Sequence, residues 1–309
     1  MRNQLIGSLF CVLVLQPVSS LAQDDNYFGY WQELSRVDMD FSQAATESGR
    51  LEAFIEVLGE GSVLFRQGPV DARELYQRSQ TISSLDQLSW RRHFIDVSRD
   101  GDLGFTVGPN LFTGIQESQD EEDRQQVYSH LVNVWHKVNG DWKLMADMVI
   151  RVPGFLSMDV EPDYRDTQLV LAETAHPALV ADNDLQSLID ADILFGRSIN
   201  VRGGQRALIR YGLQNQRVYL PGMAPAVGAD SASIAYGKFL DRRIGANNLI
   251  SASYKGGFLS SSKELGYTYG IMTSNTEDGE SGFRTNYLRV WRFSVANEWR
   301  IAMELLSDY

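Results

Sequence analysis

The sequence predicts an α+β protein of two cone-shaped domains, each with helices packed in a strongly curved antiparallel sheet. Three observations carry the prediction. A heptad, Asp102-Leu103-Gly104-Phe105-Thr106-Val107-Gly108, returns as Glu264-Leu265-Gly266-Tyr267-Thr268-Tyr269-Gly270. Each copy is followed by two further matching blocks: Val134-Trp135-His136-Lys137 then Trp142-Lys143-Leu144-Met145-Ala146-Asp147, and Val290-Trp291-Arg292-Phe293 then Trp299-Arg300-Ile301-Ala302-Met303-Glu304. In both halves a helical stretch precedes a run of strands, the order expected of helices laid on an antiparallel sheet. Blocks repeated in one order point to internal duplication.

The chain has 309 residues and a net charge of −12, enough length for two domains of about 150 residues. Its start stands apart. Met1-Arg2-Asn3-Gln4 is followed by the uncharged apolar run Leu5–Leu15 and a small-residue tail ending at Ala22. This predicts a signal peptide over residues 1–22 with cleavage after Ala22, and a secreted or periplasmic protein. A run of about 11 apolar residues is too short for a membrane anchor, which needs roughly 20. No later run is long enough either, so no membrane span is expected in the mature chain. Cys11 is the only cysteine; without the leader there is no disulfide and no thiol nucleophile. Loss of Arg2 takes the net charge to −13, which repels phosphate backbones and argues against nucleic acid.

The first domain is expected over 23–152. Leu34, Val37, Phe41 and Ala44-Ala45 recur at helical spacing within 24–47. Leu51–Leu58 is a second short helix ended by Gly59 and Gly61, Ser62–Arg66 a short strand, and Pro69 opens a third helix. From Leu88 the period becomes two, giving strands at about 88–98, 103–115, 127–138 and 141–151, with Asn139-Gly140 as a hairpin turn. Gln116–Gln126 is polar and reads as an exposed loop. Residues 153–162 form a linker.

The second domain is expected over 163–309. Residues 163–175 and Asp182–Ala191 read as helices, Ile193-Leu194-Phe195 and Ser198–Val201 as short extended pieces, and Gln205–Leu213 as a helix. Strands follow at about 231–240, 248–258, 264–274, 284–295 and 298–306. Gly104 and Gly266 sit inside strands, where glycine weakens a sheet unless it bends or another backbone comes close. The two domains are expected to pack sheet to sheet as an internal pseudo-dimer.

The Trp-led strand from Trp90, the Gly101–Thr106 stretch, Val134–Lys137 and Gly140–Asp147 resemble the nuclear-transport-factor-2-like superfamily, most closely its SnoaL-like branch. The resemblance covers nearly all of 34–151. The second copy matches in its last three strands and has Lys263-Glu264 where the first has Gly101-Asp102. It implies a cone with an apolar interior pocket. Members include isomerases, dehydratases, cyclases, small-ligand binders and assembly modules, so the fold leaves the function open.

Chemistry-bearing residues are few. An acid–base pair in the first cone would use His93, His130 and Asp147, with Tyr128 as hydrogen-bond donor; the plain alternative is that these are structural. Trp90, Phe105 and Tyr128 in the first domain, and Tyr236, Tyr267, Tyr287, Arg289 and Glu304 in the second, are the candidate ligand contacts. No pattern implies a metal or a cofactor. Duplication without a strong catalytic constellation favours a protein that binds a small apolar or aromatic molecule, or an assembly module. An isomerase-, dehydratase- or cyclase-like enzyme working through the Asp/His pair is the alternative, and a protein-binding face on the sheet a third.

Overall fold

The computed structural model describes residues 21–78, 87–115, 124–244, 249–275 and 281–309. The expected leader lies outside them except for Leu21 and Ala22, and so does most of the polar loop expected at 116–126. The protein is α+β, with helices laid on two curved sheets.

In the first half α1 (Leu21–Glu47) and α2 (Arg50–Val57) precede β1 (Leu58–Arg66), β2 (Gly68–Asp71) and α3 (Ala72–Arg78). Strands β3 (Gln87–Trp90), β4 (Phe94–Val97), β5 (Leu103–Ile115), β6 (Arg124–Val138) and β7 (Asp141–Arg151) complete it. The order is β2-β1-β7-β6-β5, with β3 and β4 both on β5. In the second half α4 (Tyr164–Ala172), α5 (Leu185–Arg202) and α6 (Gly204–Tyr211) precede β8 (Gly212–Tyr219), β9 (Ala226–Val227) and α7 (Ala229–Asp241). Then come β10 (Ile250–Leu259), β11 (Leu265–Asn275), β12 (Ser281–Phe293) and β13 (Trp299–Asp308). The order, β9-β8-β13-β12-β11-β10, follows that of the first sheet, with the single strand β10 in the place of β3 and β4.

Several elements differ from the sequence reading. Each sheet is mixed: β1 runs parallel to β7, and β8 to β13. Pro69 lies in β2, a hairpin edge where its missing N–H is harmless, and α3 starts at Ala72. The first long strand breaks at residues 91–93. A side chain at Gly108 would overlap the backbone of Arg91 and Arg92. The segment 191–201 is helix: Asp184 and Ser187 form a capping box, and Leu188, Asp192, Phe195 and Ile199 share one buried face. Residues 231–240 are helical, because Ala232, Tyr236, Phe239 and Leu240 pack at helical spacing. Strand β8 is masked in the sequence by Gln214-Asn215-Gln216-Arg217; Gln214 and Asn215 stay at least partly open to solvent where the register with β13 shifts, and burial resumes from Gln216 to Tyr219.

The heptad has two faces. Leu103, Phe105 and Val107 join Leu265 and Tyr267 in a core shared by both halves, whereas Gly104, Thr106, Gly266 and Thr268 look into the interiors. At Gly104 a Cβ would meet Leu34 and Asp96 O, and at Gly266 it would meet Leu188 and Phe258 O. Both glycines admit a close backbone, as expected.

The sheets pack face to face through that shared core. Polar contacts across the seam come in reciprocal pairs. Arg99 N donates to Glu264 Oε1 (2.8 Å) and Ser261 N to Asp102 Oδ2 (2.8 Å). Arg292 forms an ion pair with Asp96 (2.5 Å), and its mate is the tilted contact of His136 with Phe258, ring centroids 4.2 Å apart. Phe105 and Tyr267 meet edge to face between them.

Candidate functional site

Each interior is built on an aspartate that the helical stripe conceals. Leu34, Asp38, Phe41 and Ala45 recur as Leu188, Asp192, Phe195 and Ile199 with the same spacing. Both aspartates are buried. Asp38 accepts hydrogen bonds from Thr106 Oγ1 (2.6 Å), Asn133 Nδ2 (2.9 Å) and Trp90 Nε1 (3.1 Å), and Trp135 Nε1 donates to Thr106 Oγ1 (3.3 Å). Asp192 accepts from Thr268 Oγ1 (2.8 Å), Arg289 Nη1 (2.8 Å) and Tyr287 Oη (2.8 Å), and Trp291 Nε1 donates to Thr268 Oγ1 (2.9 Å). The repeated threonine and tryptophan therefore form a relay to a helix carboxylate. A lone acid on an apolar helical stripe was the signal for it, and the sequence reading passed over it.

The interiors diverge above this relay. Asn133 of the first corresponds to Arg289 of the second, and Asp147 to Glu304, each pair being cross-strand neighbours. Asp147 lies beside Arg50, Arg66 and Tyr76. Burial pushes its carboxyl up to about 6, against the pull of the two guanidinium groups. Tyr76 is pushed up to about 12, chiefly by burial.

The second interior is more highly charged. Arg289 Nε donates to Glu304 Oε2 (2.8 Å), and the guanidinium stacks on Tyr287 (4.0 Å) and Phe195 (4.7 Å). Burial would lower the Arg289 pKa, but Glu304 and Asp192 outweigh it and raise it. Burial raises the Glu304 carboxyl although Arg289 opposes it. Arg289 Nη2, Glu304 Oε1 and Tyr236 Oη are buried together and make no well-aligned hydrogen bond among the described residues. Tyr236 Oη lies against both the Glu304 carboxylate and the Arg289 guanidinium, within hydrogen-bonding range of each but poorly aligned. Buried polar atoms are ordinarily satisfied, so a small polar group among the three would complete bonds that they make poorly with one another.

The expected His/Asp convergence does not occur. His130 keeps the face of Val132 and Val134, on the seam, and His93 Nε2 bonds Tyr219 Oη at 2.8 Å across it. Asp147 pairs with Asn133 on the interior face. Strict alternation put Asp147 with Lys143 and Met145. The register shift between Val134 and Trp135 adds a residue on β7 and turns Asp147 to the other side. Phe105 and Tyr267 also belong to the seam rather than to a pocket. Tyr128 packs against Phe155 and reaches Gln126, away from the interior. Trp90, Tyr236, Tyr287, Arg289 and Glu304 do face the interiors. An open cleft of about 440 Å³ between β1, β2 and α3, lined by Glu60, Asp71, Arg73, Glu74 and Gln77, contains none of the expected residues. Among the described residues no cluster of three metal-ligating side chains is present, and no helix is long and apolar enough to cross a membrane.

No family model and no curated protein matches this chain. Among solved structures it is similar to a ketosteroid isomerase-like protein from Erwinia carotovora atroseptica, at 19% identity over 41% of this chain and 96% of that one, with a TM-score of 0.33. It is similar to a protein from Catenulispora acidiphila solved in complex with S-DNPA, at 10% identity over 40% and 90%, with a TM-score of 0.33. It is also similar to the association domain of C. elegans CaMKII, at 13% identity over 40% of this chain and 98% of that one, with a TM-score of 0.32.

Proposed function

We propose that the chain is a secreted or periplasmic binding protein of two fused, duplicated nuclear-transport-factor-2-like domains, and that the second interior holds a small, flat molecule carrying one polar group. The observation that carries this reading is the buried trio Tyr236 Oη, Arg289 Nη2 and Glu304 Oε1, poorly aligned with one another beside the rings of Phe195 and Tyr287. The matching strand orders, the two Asp–Thr–Trp relays and the reciprocal seam contacts support the duplication. The first half has the same relay with Asn133 in place of the arginine, and serves as the structural partner.

A thermal-shift screen of the full chain against aromatic and polycyclic metabolites tests the reading. A ligand at a hundred times its Kd stabilises the folded state by about 2.7 kcal/mol. The shift should vanish in Arg289→Met and persist in Asp147→Asn. A hit that survives Arg289→Met places the ligand elsewhere and defeats the proposal. A second reading rests on Asp147, whose carboxyl near pKa 6 suits proton abstraction close to neutral pH. An isomerase or dehydratase of this kind would use Asp147 with Tyr76, and Asp147→Asn would abolish its turnover.

A further inference from the structure

Three of the four histidines line the seam between the halves. His93 and His130 stand edge to face at 5.9 Å, and both pack on Tyr219 of the second half, at 6.0 and 5.5 Å. His136 packs against Phe258 with the rings tilted. The fourth, His176, is exposed on the connection between α4 and α5. The cores of the two interiors contain no histidine among the described residues.

His130 is the strained member. It is 4% exposed, and among the described residues its ring nitrogens meet only the Gly108 backbone, without a well-aligned hydrogen bond at either. At the corresponding position of β12, Asn286 donates across the seam to Arg66 O at 2.8 Å. The surroundings favour neutral rings. The seam groups facing the pair are Tyr219 and the Arg217 guanidinium, both from β8. Arg91 and Arg92 flank His93 in the chain. Asp166 of α4 is engaged by Arg217 at 2.5 Å. Each of the two rings is held at a pKa of about 4, first by burial, and for His93 also by the His130 and Arg217 charges. His136 differs, because the Asp102 carboxylate beside it partly compensates a proton there.

We infer that the seam is an acid-sensitive joint: protonation of the buried His93–His130 pair parts the two sheets while each interior stays folded. The two cations would lie against each other and against Arg217 with no free carboxylate among the described residues facing them, and a buried unpaired charge is strongly unfavourable. A drop from 6.5 to about 4 corresponds to roughly 300-fold weaker proton affinity per histidine in the closed form. The closed form therefore loses ground as pH falls from 6.5 toward 4, and the two sites titrate as a coupled pair. The inference does not depend on a ligand in either interior.

The test is small-angle scattering of the full chain from pH 7.5 to 3.8, with far-ultraviolet circular dichroism alongside. The expected result is a rise in radius of gyration below about pH 5 at unchanged helix and strand content. In His93→Gln/His130→Leu, where Gln can still bond Tyr219 and Leu fills the ring's place, the rise should vanish. The sequence pI is 4.8, and low net charge promotes association, so a rise that grows with protein concentration counts against the inference. An equal rise in the variant, or a wild type compact at pH 4, overturns it. If the variant does not fold, the imidazole carbon-bound proton signals of the wild type decide: both titrating below pH 5 supports the joint, and either titrating near 6.5 overturns it.

Discussion

Replacing Asp38 by alanine should cost about 3–5 kcal/mol, roughly a third to a half of the ~10 kcal/mol stability of an average domain. The carboxylate joins α1 to β3, β5 and β6 through three donors: the Thr106 hydroxyl, the Asn133 amide and the Trp90 indole. All three residues are buried, so alanine strands them without water. A stranded buried donor costs about 1–3 kcal/mol. Three together would exceed the figure above, and relief from burying the carboxylate brings it down. Asp38→Asn keeps the shape and one acceptor oxygen but turns an NH2 toward a donor, and should cost about 1–3 kcal/mol. Asp192→Ala should cost at least as much as Asp38→Ala, because it also strips the buried Arg289 of one of its two carboxylates. Urea unfolding followed by tryptophan fluorescence reads these values from midpoints at unchanged slope. Trp90 and Trp135 report the first interior, and Trp291 the second. A loss below about 1 kcal/mol in Asp38→Ala, or equal losses in the alanine and asparagine variants, would refute the reasoning.

Asp147→Asn should stabilise the protein at pH 7.5 by roughly 3 kcal/mol, since the folded pKa of about 6 lies above the unfolded value of 3.8. The folded state binds the extra proton between these values, so wild-type stability rises as pH falls through 6. The advantage of the variant should fade by pH 4 in a pH series of melting curves. Gly108→Ala and Gly270→Ala place a Cβ against the carbonyl oxygens of Arg91 and Ser253. Each should cost about 1–3 kcal/mol and lower the thermal midpoint, whereas Gly154→Ala meets open space and is strained only by its φ of 87°. Arg292→Ala leaves Asp96 buried without its partner and should cost about 3–5 kcal/mol. Calorimetry should then resolve two transitions where the wild type shows one.

The pattern of strand glycines, paired tryptophans and hairpin turns was legible because it is local: Gly104 and Gly266 meet the close backbones that their place in a strand required. What escaped depended on tertiary context. Ile193-Leu194 looks extended by itself and is the outer face of a capped helix. Gln214–Arg217 is polar throughout, yet it lies within a strand whose ends, Gly212 and Arg217–Tyr219, pair with β13. Simple alternation along β7 gives Asp147 the wrong face, because one extra residue on that strand resets it and no sequence feature marks where it falls. The chemistry expected of His130 and Asp147 together failed for that single reason. Asp38 and Asp192 were visible in principle, as the one charged position in each repeated helical stripe.

The reciprocal seam joins two faces whose matching positions carry different residues. A patch that pairs with an identical copy must satisfy both roles of every contact, since residue i meets j and j meets i. Joined in one chain, the roles separate. Arg292 keeps Asp96 as an ion pair while the mirrored contact is His136 on an aromatic ring. Tethering also fixes the local concentration of each sheet for the other, commonly in the millimolar range for short connections. Dilution therefore cannot separate them, and even a weak seam remains closed at any protein concentration, with solvent conditions rather than abundance left to govern it.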